Sequence, residues 1–243
     1  MNDPKLAIVI PTLNEEASVG TLLDRVRVGL DQMAINYELI VVDDDSRDGT
    51  QQCVARYSEA DPRIRLLVRK GERGLAGAVL YGWKNTDADF LGVIDADLQH
   101  PPELVPELVK ALLRGNDMAI GSRYVTGDGD AVADWNFARR WLSIISTWIT
   151  LPLQRREIRV RDPLSGFFML RRHCIEGLDL QPQGFKLLLE ILVRGNIRSV
   201  EEVPFHFGLR HGGTSKASLR VGVEYLQLLG RLSRHAFSRT ASS

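Results

Sequence analysis

The sequence predicts an α/β fold: a mostly parallel sheet flanked by helices. Three observations lead there. Short apolar runs recur through the first half of the chain, stretches of helical pattern lie between them, and polar residues gather where the runs end. Strand alternating with helix indicates parallel strands joined by right-handed crossovers. The 243 residues, 44% hydrophobic and 26% charged, can build the core of one large domain.

The elements follow in order. LAIVIPTL (6–13) is a short apolar run broken by proline and reads as a buried strand. Asn14 and Glu15 follow it, then a helix over about 16–33. YELIVVDDDS (37–46) is a second strand ending in acids, and 50–60 is helical. IRLLVR (64–69) is a third strand; GERGLAGA (71–78) is a glycine-rich turn that opens a helix reaching about 85. ADFLGVIDAD (88–97) is a fourth strand. PPELVPELVKALLRG (101–115) is a helix with prolines in its first turn, where the missing N–H is tolerated. DMAIGSR (117–123) is a fifth strand.

Beyond residue 124 the alternation stops. VTGDGDAVADW (125–135) is a polar loop, and FARRWLSIISTWITLPL (137–153) is a helix apolar on nearly all sides. RDPLSGFFMLRR (161–172) contains a short strand. A helix at 184–195, a strand at 199–207 and an amphipathic helix at 217–234 complete the pattern.

The zero net charge hides an asymmetry. Residues 1–122 carry 13 Lys and Arg against 20 Asp and Glu, whereas residues 123–243 carry 18 against 11. An acidic half suits cations and a basic half suits anions. Cys53 and Cys174 stand far apart, as ordinary thiols of a reducing compartment do. The N-terminus lacks the basic segment of a signal peptide, and no run reaches the roughly 18–20 apolar residues of a membrane span. The chain is therefore expected not to be integral, although it could lie peripherally on the cytoplasmic side of a membrane; no nucleic-acid partner is expected.

Ligands of parallel sheets bind beyond the carboxyl ends of the strands, and there the chemistry collects. In an extended strand alternate residues face one way, so Asp95, Asp97 and Gln99 would converge. Two carboxylates and an amide oxygen are hard ligands suited to Mg²⁺ or Mn²⁺. Asp43, Asp44 and Asp45 can accept hydrogen bonds from a nucleoside; Ser46 or Asp48 also reads as a helix cap. The loop RKGERGLAGA (69–78) fits neither G-x-G-x-x-G nor the P-loop pattern, but its amides can approach a ligand. Arg123, Arg139, Arg140, Arg210 and Lys216, with Ser215, are a basic set suited to phosphate. Arg155, Arg156 and Arg159 read as a solvated face.

Taken in order, VIPTLNEE, VVDDDSRDGT, DADLQHPPE, GSRY, RDPLSGFF and R-x-G-G-T-S-K resemble the family 2 glycosyltransferases of GT-A fold, most closely the polyprenyl (dolichyl) phosphate mannose synthases. The resemblance covers roughly residues 6–220. It implies one GT-A domain over 1–220, with a nucleotide-binding half at 1–122 and an acceptor half at 123–220, then an amphipathic helix and tail at 221–243. It implies that Pro11, Leu13 and Glu15, with Val42, Asp43, Asp44 and Asp45, hold the nucleoside. Gly74, Leu75 and Ala76 then line the donor pocket. Asp95, Ala96, Asp97 and Gln99 lie at the donor diphosphate, where Asp95, Asp97 and Gln99 hold the metal. Arg123 and Arg139 receive the acceptor phosphate, and Arg210, Ser215 and Lys216 close over the donor. Asp162, Ser165 and Gly166 line the floor of the sugar site.

The implied reaction is a metal-dependent inverting transfer of mannose from GDP-mannose to a polyprenyl or dolichyl phosphate. Such a nucleophile is already largely dianionic near neutral pH, its second pKa being about 6, so no Ser-His-Asp or Cys-His set is required. Trp141, Ile144, Ile145, Trp148 and Ile149 of the apolar helix suit a bilayer surface, as does, more weakly, the last helix. Relatives often continue into transmembrane helices; here that role could fall to a transmembrane partner subunit. Two other readings are the same chemistry with UDP-glucose or another nucleotide sugar, and a non-catalytic subunit that binds nucleotide sugar. A dinucleotide-dependent oxidoreductase is disfavoured, because no G-x-G-x-x-G follows the first strand.

Overall fold

The computed structural model describes residues 4–125, 149–181, 186–205 and 227–233. Seven strands form one sheet in the order β3-β2-β1-β4-β6-β5-β7. They are β1 (Lys5–Thr12), β2 (Asn36–Asp43), β3 (Ile64–Val68), β4 (Phe90–Val93), β5 (Met118–Ser122), β6 (Phe168–Arg171) and β7 (Val200–Pro204). The helices are α1 (Glu16–Asp31), α2 (Thr50–Ala60), α3 (Leu75–Lys84), α4 (Val105–Leu113) and α5 (Leu187–Arg194). The expected strands and helices of the first 122 residues are all present, most of them trimmed by a few residues.

Alternation explains the layering. Along β1, Leu6, Ile8 and Ile10 pack with Leu22, Val26 and Leu108 of α1 and α4. Ala7 and Val9 face the other way, toward Val79 and Trp83 of α3 and Leu188 and Ile191 of α5. A central strand covered on both faces must be apolar throughout, and residues 6–10 are fully buried.

β6 is the exception to the parallel rule. It runs antiparallel to both β4 and β5, with Val93 and Ile120 each opposite Phe168. Two reversals leave β5 parallel to β4, and β7 is parallel to β5. The carboxyl ends of β1, β2, β4 and β5 therefore share one edge with the start of β6. On this edge the order changes direction: β1 is followed outward by β2 and β3 on one side, by β4 on the other. That switch point is where an open α/β sheet leaves a crevice for ligand.

Of the segment expected to be helical at 137–153, residues 149–150 are helical and 151–154 form a turn; the rest lies outside the described residues. Of the last helix, 227–233 are helical. No described helix is long and apolar enough to cross a membrane.

Candidate active site

Among the described residues, three that are not glycine adopt the left-handed conformation: Asn14 (φ 59°), Asp45 (φ 59°) and Leu98 (φ 61°). Each follows the carboxyl end of a different strand, β1, β2 or β4. Non-glycine residues with positive φ are uncommon, and such strain collects where a backbone must present ligand groups. Here it turns the chain sharply off the sheet edge.

The first two turns lock together. Asn14 N–H donates to Ser46 Oγ (2.8 Å), and Arg47 N–H donates to Asn14 Oδ1 (2.9 Å). Asp43 is fully buried; its carboxylate accepts from Thr12 Oγ1 (2.9 Å), Ser46 N–H (2.8 Å) and Gln51 Nε2 (2.7 Å). Asp44 accepts from Arg69 Nε and Nη2, each at 2.8 Å, and from Gly74 N–H (2.8 Å). Arg69 also reaches the Gly74 carbonyl (3.1 Å). Gly74 has φ +134°, which a side chain rarely adopts.

The acidic run read from sequence as one nucleoside-facing group is thus divided. Asp43 staples β1 to β2, Asp44 fixes the glycine loop, and Asp45 stands half-buried at the left-handed turn. Pro11, Leu13 and Glu15 are half-buried beside them, as are Gly74 and Leu75, while Val42 and Ala76 are buried. Arg69 was given no role of its own from sequence; its signal was an arginine standing where an apolar strand meets the glycine loop.

The D-x-D-x-Q stretch needs a correction. β4 ends at Val93, and residues 96–98 form a turn, so the extended geometry expected to align Asp95, Asp97 and Gln99 does not persist. The left-handed Leu98 reverses the chain, and Gln99 N–H donates to Asp97 Oδ1 (3.1 Å). The three residues thus flank one turn instead of lining one face of a strand, all half-buried, with Ala96 buried between them.

Beneath Asp95 lies a dense floor. Gly166 passes so close that a Cβ there would stand 3.0 Å from Asp95 Oδ2 and 3.4 Å from His100 Cε1. Only glycine keeps that face of the carboxylate open. His100 is buried, its Nδ1 3.7 Å from Asp95 Oδ2, its ring between Phe167 (5.4 Å) and Phe205 (5.6 Å). Burial, then the nearby Arg123 guanidinium, push its pKa down to about 3, so the imidazole is neutral. The sequence reading passed over His100 because a lone histidine before Pro-Pro has no partner nearby in sequence.

Arg123 follows β5 and forks onto Asp162, Nε to Oδ2 at 2.8 Å and Nη2 to Oδ1 at 2.7 Å. Asp162 is fully buried. Glu202 of β7 holds the loop carrying it, accepting from Arg161 N–H (2.9 Å) and Asp162 N–H (3.1 Å). Ser165 Oγ donates to the Gly121 carbonyl (2.8 Å). Lys186, just before α5, joins this cluster electrostatically: burial and Arg123 lower its pKa to about 8, while Asp162 and Asp95 pull the other way. It too was missed, although one lysine preceding the apolar run Leu187–Leu189 was a signal. Arg155, expected on a solvated face, is half-buried and donates to the Gly195 carbonyl (2.6 Å).

Arg139, Arg140, Arg210, Ser215 and Lys216 lie outside the described residues, as do Trp141, Ile144, Ile145 and Trp148. Ile149 is exposed.

An acidic turn over a glycine floor, beside a largely buried arginine, stands at the switch point of the sheet. Residues 7–178 match the profile of glycosyl transferase family 2. The chain belongs to this family. It is a glycosyltransferase, and curated relatives narrow the comparison. It is 43% identical over 231 residues to a dolichol-phosphate mannosyltransferase of Pyrococcus furiosus, covering 94% of this chain and 63% of that protein. It is 37% identical to a protein of the same name from Saccharomyces cerevisiae, covering 93% and 86%, and 36% identical to one from Mycosarcoma maydis, covering 96% and 81%. The chain thus spans less than two thirds of the archaeal relative and most of the two fungal ones. In structure it is similar to glucosyl-3-phosphoglycerate synthase of Mycobacterium tuberculosis, solved with Mn²⁺, UDP-glucose and phosphoglyceric acid: TM-score 0.66, 23% identity, 96% of this chain and 80% of that one. That likeness shows the shared GT-A-type fold.

Proposed function

We propose that this glycosyltransferase moves mannose from GDP-mannose to a dolichyl or other polyprenyl phosphate, at the carboxyl edge between β1 and β5. The observation that carries the reading is the Asp95–Asp97 turn on its Gly166 floor, next to the Arg123–Asp162 pair. Anionic donor and anionic acceptor meet there between carboxylates and a guanidinium. The names of the curated relatives support the acceptor and the sugar.

The residues fit a divalent cation. Asp95 and Asp97 offer hard oxygens on one tight turn, and the bare Cα of Gly166 leaves the face of Asp95 clear. Mg²⁺ or Mn²⁺ held there by Asp95, Asp97 and Gln99 would stabilise charge on the departing diphosphate. Asp44 and Arg69 hold the Gly74 loop where its backbone meets the donor. Asp43 and the Asn14–Ser46 turn fix the walls of the nucleoside site, leaving Glu15 and Asp45 half-buried at its edge.

A phosphate oxygen of the lipid attacks the anomeric carbon while that carbon's bond to the diphosphate oxygen breaks, and GDP departs with the electron pair. One displacement inverts the anomeric centre. The nucleophile arrives ionised, so the protein has only to place it. Arg123 does this, oriented by Asp162. His100, neutral and wedged between two phenylalanines, keeps Asp95 from collapsing into the core. Arg139, Arg210, Ser215 and Lys216 retain the roles implied by the family resemblance. The protein works at a membrane surface, where its acceptor resides.

The test is a donor panel. The chain is incubated with dolichyl phosphate, Mn²⁺ or Mg²⁺, and labelled GDP-mannose or UDP-glucose. Label entering the organic phase from GDP-mannose alone supports the reading. Transfer from UDP-glucose alone contradicts it.

A further inference from the structure

We propose that Asp117, His173 and Cys174 form a second metal site, for a thiophilic divalent ion of the Zn²⁺ class, on the edge of the sheet opposite the active site. Asp117 immediately precedes β5, and His173 and Cys174 follow β6. Because β6 is antiparallel, these positions meet at the amino edge, level with the start of β4. The Asp95–Asp97 turn lies at the other end of β4, about 20 Å away at ~3.3 Å per residue. The two sites are separate.

Among the described residues, this is the one group of three or more His, Cys, Asp or Glu whose ligand atoms all lie within 4.8 Å of one another. The spacing fits. A tetrahedral ion bonded at about 2.1 Å to nitrogen and oxygen and about 2.3 Å to sulfur separates its ligands by roughly 3.3–3.6 Å. Here His173 Nε2 stands 3.2 Å from Asp117 Oδ1 and 3.8 Å from Cys174 Sγ. Small side-chain movements close the difference.

The ligands are held from behind, as metal ligands usually are. Asp117 Oδ2 accepts from Arg198 N–H (2.8 Å), which turns Oδ1 toward the imidazole. Asp117 N–H donates to Ser199 Oγ (3.0 Å), and the Cys174 carbonyl accepts from Asn196 N–H (2.9 Å). The neighbouring arginines reach elsewhere: Arg171 to the carbonyls of Leu112 and Asn116, Arg172 to those of Thr86 and Ala88. Cys174 is buried and His173 exposed, so an ion has a path in and a side open to water.

One sulfur, one imidazole nitrogen and one carboxylate oxygen select Zn²⁺ or Co²⁺ over the harder Mg²⁺, whereas the Asp95–Asp97 turn offers oxygen alone. On binding, the Cys174 thiol proton passes to solvent and the thiolate completes the site. The ion would join the start of β5, the end of β6 and the 195–199 connection leading to β7. It would brace the half of the sheet that carries Asp162 and Glu202, without touching substrate.

The test is Co²⁺ binding to the full chain after chelator treatment and removal of the chelator. A thiolate-to-cobalt absorbance that saturates at one equivalent is expected. It should persist in Asp97→Ala, vanish in His173→Ala and be displaced by Zn²⁺. At a hundredfold excess over Kd, Zn²⁺ should raise the Tm of the wild type by about 5–10 °C. His173 is exposed, so its replacement leaves the fold intact, which an unchanged metal-free Tm would verify. No thiolate band in the wild type, or the same band in His173→Ala, overturns the proposal and leaves an Asp–His ion pair beside a buried thiol.

Discussion

Arg123 and Asp162 meet through two near-parallel hydrogen bonds, 2.8 and 2.7 Å, with a third to the same carboxylate from the Arg123 backbone N–H at 3.1 Å. On the reading proposed above, the pair lies on the acceptor side of the site, and it fixes the direction of the Arg123 guanidinium. A fork cannot be replaced by a point charge. Arg123→Lys should therefore raise KM for the lipid phosphate by about tenfold, one hydrogen-bonded charge contact, with GDP-mannose affinity nearly unchanged. Steady-state kinetics in both substrates checks this. Equal losses for donor and acceptor would remove Arg123 from the acceptor role.

Removing the other partner has a different signature. Asp162→Ala leaves a largely buried guanidinium without its counter-ion and should cost about 3 kcal/mol of stability, the low end of the range for a fully buried pair. Urea denaturation measures it. A loss below 1 kcal/mol would mean that water or Glu202 takes over.

Gly166→Ala tests the floor of the Asp95–Asp97 turn. The new Cβ would press on Asp95 Oδ2 at 3.0 Å. Mn²⁺ binding, followed by electron paramagnetic resonance, should weaken about tenfold, the usual scale for disturbing a ligand's support, while Tm falls only a few degrees. Unchanged Mn²⁺ affinity would place the ion away from Asp95.

Asp61 carries a pH prediction for the first βαβ unit. Its carboxylate pairs with Arg63 at 2.8 Å and Arg27 at 3.2 Å, and Arg63 chiefly holds its pKa down to about 2, below the usual 3.8. The fold favours the charged form, so this stabilisation is complete above about pH 4 and is lost as pH falls through about 2. Asp61→Asn should therefore cost about 1–2 kcal/mol at pH 7 and almost nothing near pH 2. Denaturation at the two pH values reads the difference; an equal cost at both would assign the effect to packing.

Much of this was legible in the sequence, for local reasons. The runs 6–13 and 37–46 announced strands because both faces of a central parallel strand are buried; 64–69, at the sheet edge and mostly half-buried, announced one by its short apolar run alone. The acids after Val42 and Ile94 marked the ends of the apolar runs, the edge where an open α/β sheet leaves room for ligand. What stayed hidden depends on pairing across the chain. Nothing local says that Phe168–Arg171 runs backward between β4 and β5, although this places Asp162 and Gly166 beside Arg123 and Asp95. Arg69, His100 and Lys186 acquire their meaning from neighbours distant in sequence. The left-handed Leu98 was invisible too, because leucine carries no turn signal; it defeated the expectation of an extended D-x-D-x-Q.

The central claim is metal-dependent mannosyl transfer at the Asp95–Asp97 turn, and the most direct measurement compares wild type with Asp97→Ala. Asp97 is half-buried, and its replacement should leave the fold intact. With GDP-[¹⁴C]mannose, dolichyl phosphate and Mn²⁺, the wild type should place label in the organic phase and stop when EDTA is added. Asp97→Ala, equally folded, should fall at least about a hundredfold, as expected when support for the leaving charge is lost. Transfer by Asp97→Ala within a few-fold of wild type, or wild-type transfer untouched by EDTA, would contradict the account.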